Sequence, residues 1–197
     1  MNKGLLALST SVFTLLLNSS PTIACTDFRL KADDGTVLIT RSMEFALDMR
    51  SNVMSSSRER AFETTAPNGK PAMSWKSKYG YVFLDGLDTG MAIDGVNEEG
   101  LAIEALYLPG ETEYQAVPAG KEKQAVPYLH FGDWVLGNFK SVDELKLALN
   151  GVYVFAQNIP QAKGVIFPLH FNVTDKTVPR GSTISASSGT PAVCGFT

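Results

Sequence analysis

Cysteine and histidine are scarce, each occurring twice in 197 residues. Two cysteines cannot make a disulfide scaffold, and no Cys or His spacing suits a metal ion. No metal or cofactor is expected. A basic excess is missing too: 17 Lys and Arg stand against 20 Asp and Glu, for a net charge of −3. Without a Lys/Arg run, the chain has no footprint for nucleic acid. Beyond the N-terminus no apolar run reaches the ~18 residues that a membrane-spanning helix needs. What remains is ordinary for a globular chain, 44% hydrophobic and 19% charged, and long enough for one domain with a core.

The N-terminus departs from that average. Lys3 precedes an apolar run, "LLALSTSVFTLLL" (5–17), and then a polar stretch, "NSSPTIA" (18–24), that ends in Ala24. A charge, an apolar core and a small-residue cut site together read as a secretion signal over 1–24. Cleavage after Ala24 would make Cys25 the first residue of a periplasmic or secreted protein. Cys25 could then be a lipid anchor, half of a disulfide with Cys194, a core residue or a nucleophile. The lipid anchor implies a non-catalytic exported lipoprotein, although the Thr and Ile of "TIAC" fit a lipobox poorly.

Further on, "CTDFRLKADDGTVLITRSMEF" (25–45) reads as a β-hairpin. A two-residue type I′ loop at Asp34-Gly35 would pair residues whose numbers sum to 69. Cys25 would then oppose Glu44, and Arg41 would point to the other face unless a bulge re-aims it. Residues 46–75 read as loop with at most one strand, followed by a meander at 79–86, 90–97 and 101–108. A solvated loop (111–124) precedes a helix at 127–139. Ser141 and Glu144 mark the capped start of a second helix that Gly151 ends. Residues 165–175 form another strand. Helices inserted between strand groups give an α+β class, with helices packed on sheets. The Ser-, Gly- and Pro-rich stretch 178–197 reads as a disordered tail.

Cys25 at a mature N-terminus would hold both a nucleophile and a base. Its thiol attacks, and its α-amine, with a pKa near ~8, carries the proton. A neighbouring Arg favours thiolate and a carboxylate holds the cation, which makes Arg41 and Glu44 the candidates.

These residues carry a resemblance. The Cys25 start, "RSMEF" (41–45) and "DGVNEEGLAIEALYLPG" (94–110) are similar to motifs of the choloylglycine hydrolase family. That family contains the bile salt hydrolases and penicillin V acylases, which are N-terminal-nucleophile (Ntn) hydrolases. Glu44 stands where most members have Asp, and Phe45 where many have Trp. "PLHFNVTDKT" (168–177) resembles a further family strand, so the likeness spans 25–177. It implies an αββα four-layer sandwich and hydrolysis of a linear amide, with Cys25, Arg41 and Glu44 catalytic. It places Tyr107 at an oxyanion position, and Tyr107 and Asn97 are the oxyanion and substrate candidates; read from its own residues, Asn97 shapes the turn before "EEG". Tyr107 suits penicillin V or N-acyl homoserine lactones over conjugated bile salts. A homo-oligomer, a tetramer in relatives, is also implied. Members are nearly twice as long, so the chain is expected to be the N-terminal half of such an enzyme. Its apolar face would be uncovered and its own activity would be small or nil.

Other features have plainer readings. His130 and His170 stand alone and read as structural, and Trp75, Phe131 and Trp134 as core. Cys194 has no assigned role. "NVT" (172–174) fits a glycosylation sequon but lies in an apolar strand.

Overall fold

The computed structural model describes residues 25–45 and 47–176 fully, and the backbone of 182–187 and 190–194. The expected signal segment 1–24 lies outside the described residues.

One turn recurs and sets three hairpins. The first joins β1 (Thr26–Lys31) to β2 (Val37–Ser42), the second β4 (Ala61–Thr65) to β5 (Pro71–Lys76), and the third β7 (Asp94–Asn97) to β8 (Ala102–Tyr107). Each loop has three residues and ends in a glycine at positive φ: Gly35 at 87°, Gly69 at 80° and Gly100 at 85°. The glycine N–H closes each turn, on the carbonyl of Ala32, Ala66 or Asn97. An Asp or Asn side chain stiffens each one. Asp34 Oδ1 accepts from Thr36 N–H, Asn68 Oδ1 from Lys70 N–H and Asn97 Oδ1 from Leu101 N–H. A type I′ loop needs positive φ at both central residues, but at Asp34-Gly35 only the glycine has it. The loop is therefore one residue longer than expected. The pairing shifts to Asp27 with Arg41 and Phe28 with Thr40.

The main sheet has seven strands in the order β13-β12-β11-β8-β7-β6-β3. It contains β3 (Val53–Ser56), β6 (Tyr81–Leu84), β11 (Leu169–Thr174), β12 (Ser182–Ser187) and β13 (Thr190–Cys194). The expected tail is thus partly sheet. The free edge of β11 supplies backbone partners for β12, and β12 for β13, so ladder bonding orders a stretch with little apolar pattern. Pro191 lies in the edge strand, the place in a sheet where proline is tolerated. Residues 46–75 also hold more strand than expected. Phe62 and Thr64 are buried between exposed neighbours in β4, a period-2 pattern that Thr and Glu conceal.

Helices α1 (Phe131–Asn138) and α2 (Val142–Leu149) belong to the core built on one face of this sheet. The expected helix at 127–139 is shorter, because 125–127 form β9, parallel to β10 (Tyr153–Phe155), and 128–130 a 3-10 turn. Phe131 and Trp134 are core as expected, while Trp75 is partly buried and stacks on Phe62 at 4.9 Å. Ser141 caps α2 by accepting from Glu144 N–H, and the Glu144 carboxylate accepts from Lys140 N–H in return.

The β1–β2 hairpin covers the other face of the main sheet, near Asp94 and Glu104. Helices, main sheet and hairpin are three layers of the αββα arrangement. The hairpin's outer face is open: Phe28, Leu30 and Leu38 are 52%, 54% and 57% exposed. In that arrangement the fourth layer lies on this face.

Glycine lets α1 approach the sheet. A Cβ on Gly132 would sit 2.0 Å from the Ala92 carbonyl oxygen, an overlap that backbone cannot relieve by changing rotamer. Gly132→Ala is expected to destabilise the fold by about 3 kcal/mol, the upper range for overpacking. Urea denaturation checks this, and a loss below about 0.5 kcal/mol, the scale of surface changes, would show that the helix sits farther from the sheet.

Candidate active site

Cys25 stands just ahead of β1, and its thiol is free. The true hairpin register decides what faces it. Arg41 pairs with Asp27, and Cys25 is two residues from Asp27, so Arg41 and Cys25 share a face without any bulge. Arg41 Nη2 donates to Cys25 Sγ at 3.1 Å. Its Nη1 donates to Asp94 Oδ1 at 2.7 Å and to the Ala105 carbonyl at 2.6 Å. The guanidinium therefore spans from the hairpin to β7 and β8 while one nitrogen holds the sulfur. The guanidinium thus sets a positive charge directly against the sulfur.

The ion pair lies deep, with both side chains 10% exposed. Burial raises the Asp94 carboxyl above the usual carboxylate range, and Arg41 only partly offsets this. Such a pair adds little net stability, but removing one partner strands a buried charge.

Two polar rows face each other behind the sulfur. On the main sheet, Asp94, Glu104 and Asn172 are cross-strand neighbours on β7, β8 and β11. On the hairpin, Asp27 lies across from Arg41. Asn172 Nδ2 donates to Asp27 Oδ2 at 2.5 Å, closing the second link between layers. Asn172 is buried and its amide is engaged there, so the sequon is not open to a glycan. Glu104 sits at the centre of the row. Burial first, then the charges of Asp27 and Asp94, push its carboxyl up to about 7, while Arg41 and Asn172 pull the other way. His170, on the same face of β11, is pushed below the ordinary imidazole range by burial.

The front of the site is apolar. A cavity of ≈ 60 Å³ adjoins Cys25 and Arg41, walled by Met43, Phe45, Tyr107 and Phe167 among others. Phe45 meets the rings of Tyr107 and Phe167 edge-on, at 5.3 and 5.2 Å. Among the described residues, no group of His, Cys, Asp and Glu is arranged to hold a metal ion, and no helix is long and apolar enough to cross a membrane.

The structure thus brings Cys25, Arg41 and Tyr107 to one cavity. Glu44 is present differently from expectation. Its side chain is exposed, and its main-chain carbonyl faces Cys25 Sγ at 3.9 Å. The carboxylate on Arg41 is Asp94. Asn97 lies away from the cavity lining. It is buried, donates to the Leu136 and Phe139 carbonyls at the end of α1, and shapes the 98–100 turn. Asp27, Asp94, Glu104 and Asn172 escaped the sequence reading. The available signal was a single carboxylate in an otherwise apolar strand, as in "MAIDG" and "LAIEALYL".

The chain belongs to the choloylglycine hydrolase family of linear amide C–N hydrolases, whose model matches residues 25–186. This match extends past Thr177, into β12. The chain is 31% identical over 174 residues to a penicillin V acylase of Pectobacterium atrosepticum, covering 85% of this chain and 46% of that protein. It is 30% identical over 138 residues to a bile salt hydrolase/transferase of Bifidobacterium longum subsp. longum, covering 69% and 42%. Two solved structures share the fold at 25% identity and a TM-score of 0.65. One is a variant of conjugated bile acid hydrolase from Clostridium perfringens, covering 82% of this chain and 48% of that one. The other is penicillin V acylase from Agrobacterium tumefaciens, covering 82% and 46%. The chain spans about half the length of these relatives.

Asp94→Asn is expected to destabilise the protein by about 3 kcal/mol, because Arg41 stays buried without its counter-charge. The double change Arg41→Met with Asp94→Leu should recover most of that loss. Equal losses from the single and the double variant in urea denaturation would show that packing, not charge, holds the layers.

Proposed function

We propose that this chain carries the nucleophilic half-site of an exported amide hydrolase that uses Cys25 as an N-terminal nucleophile. The observation that supports it best is the 3.1 Å contact between Arg41 Nη2 and Cys25 Sγ, at the mouth of an apolar cavity. Cleavage after Ala24 releases the Cys25 α-amine, which takes the thiol proton. The sulfur attacks the amide carbonyl carbon, and the developing oxyanion is met by main-chain N–H donors, with Tyr107 at that position. Collapse of the tetrahedral species breaks the C–N bond, and the amine returns its proton to the leaving nitrogen. Water then hydrolyses the thioester and restores the thiol. Arg41 stabilises the sulfur's charge and Asp94 holds Arg41.

The cavity's Met, Phe and Tyr walls suit an apolar acyl group, and the charged rows lie behind the sulfur rather than in front of it. Penicillin V and N-acyl homoserine lactones fit this division, with the acyl chain in the cavity and the polar amine portion outside. Conjugated bile salts place a bulky steroid on the acyl side. In protein purified from its host, penicillin V or an N-acyl homoserine lactone should be hydrolysed faster than glycine- or taurine-conjugated bile salts. Cys25→Ala should abolish turnover, and Arg41→Lys should lower kcat/KM about 100-fold, since an ammonium cannot hold sulfur, carboxylate and carbonyl together. Fastest turnover of bile salts would overturn the substrate preference. Activity retained in Cys25→Ala would overturn the mechanism.

A further inference from the structure

Glu104 has no task in the mechanism above, yet its position is unusual. It is a buried carboxylate in the middle of β8. Its cross-strand neighbours are Asp94 on one side and Asn172 on the other. Across the layer gap lie Asp27 and Arg41 of the hairpin, whose side chains reach Asn172 and Asp94. Glu104 Oε2 is buried and has no hydrogen-bond partner among the described residues. The one guanidinium whose field Glu104 shares with Asp94 is also the group that holds Cys25 Sγ.

We propose that Glu104 is a positioning residue that competes with Cys25 for the charge of Arg41, so that the carboxyl and the thiol titrate against each other. This rests on Cys25 being the nucleophile. When Glu104 is neutral, Arg41 has Asp94 as its buried counter-ion and the rest of its field falls on the sulfur. When Glu104 ionises, a second carboxylate answers Arg41 and repels negative charge on the sulfur. Two groups coupled this way lose their protons in steps that belong to the pair.

The direction follows from the surroundings. Glu104 is held near neutrality in pH by burial and by Asp27 and Asp94, so its charge appears as the solution passes from mildly acidic to mildly basic. Facing the same row are the carboxylates of Asp27 on the hairpin and Asp94 on β7, the guanidiniums of Arg29 and Arg41 on the hairpin, the Asn172 amide, which carries no charge, and His170 on β11, which burial holds below the ordinary imidazole range. The Cys25 α-amine stands beside the sulfur and is the same in every variant compared. The thiolate should therefore be favoured less above neutrality than Arg41 alone would make it.

The test needs no turnover. The chain starting at Cys25, with Cys194→Ser so that one thiol remains, is alkylated with iodoacetamide across the pH range. Wild type should give a rate profile broader than a single titration. Glu104→Gln should narrow it to the titration of the thiol with its own α-amine, leave the rate unchanged near pH 5.5, and raise it about threefold to tenfold near pH 8, the scale of one partly screened charge. Glu104→Asp should stay broad. Superimposable profiles, or one uniform rate change at all pH values, would overturn the proposal.

A second measurement uses wild type alone, against the chance that Glu104→Gln does not fold. With 13C-labelled glutamate carboxyls, one carbon should titrate near pH 7, and its midpoint should move down once Cys25 is alkylated and can hold no charge. A midpoint indifferent to alkylation would overturn the coupling. A chain that shows this coupling but whose Cys25 takes no acyl group from an activated ester would keep the inference and sink the proposed function.

Discussion

The Arg41–Asp94 pair joins the hairpin layer to the main sheet, and the site depends on that join. A two-stranded ribbon alone is marginal in water. Here it is held across the gap by Arg41 on Asp94 and by Asn172 on Asp27. The same guanidinium that ties the layers also fixes Cys25. One interaction therefore serves architecture and chemistry, and a change that loosens the layers must also release the sulfur. Burial of the pair costs nearly what its attraction returns, consistent with the raised Asp94 carboxyl. Its worth lies in geometry more than in net stability.

The layers divide the labour around the sulfur. The face of the main sheet toward the helices is apolar, with Ala105, Phe171 and Leu169 among the residues lining the cavity. The face toward the hairpin carries the carboxylates. Strand alternation alone produces this, because Ala105 and Glu104 are adjacent in β8 and point opposite ways. Cys25, at the end of the hairpin, meets both environments at once: the Arg41 guanidinium and the carboxylates behind it, and apolar space in front.

Much of this was legible in the sequence. The Cys25 start and the 41–45 and 97–101 motifs pointed to the fold, and Cys25, Arg41 and Tyr107 do meet at one cavity. What failed did so for physical reasons. An Asp-Gly pair suits both a two-residue and a three-residue loop, and the choice turned on Asp34 bonding to Thr36. That single residue of register moves Arg41 to the face of Cys25. Glu44 looked like the counter-ion because it would have opposed Cys25 in the other register. The true partner, Asp94, lies 53 positions from Arg41 in the chain, and local pairing rules say nothing about contacts at that range. Strands β12 and β13 were missed because their order comes from an edge that another strand offers, not from their own composition.

The most direct measurement is a mass map of Cys25 after a brief reaction with an activated phenoxyacetyl ester, quenched in acid. An N-terminal nucleophile predicts that the first peptide begins at Cys25, carries no lipid and bears one phenoxyacetyl group as a thioester. That result would establish both the processing and the nucleophile. A peptide that begins upstream of Cys25, one that carries diacylglycerol, or an acyl group found elsewhere on the chain would contradict it.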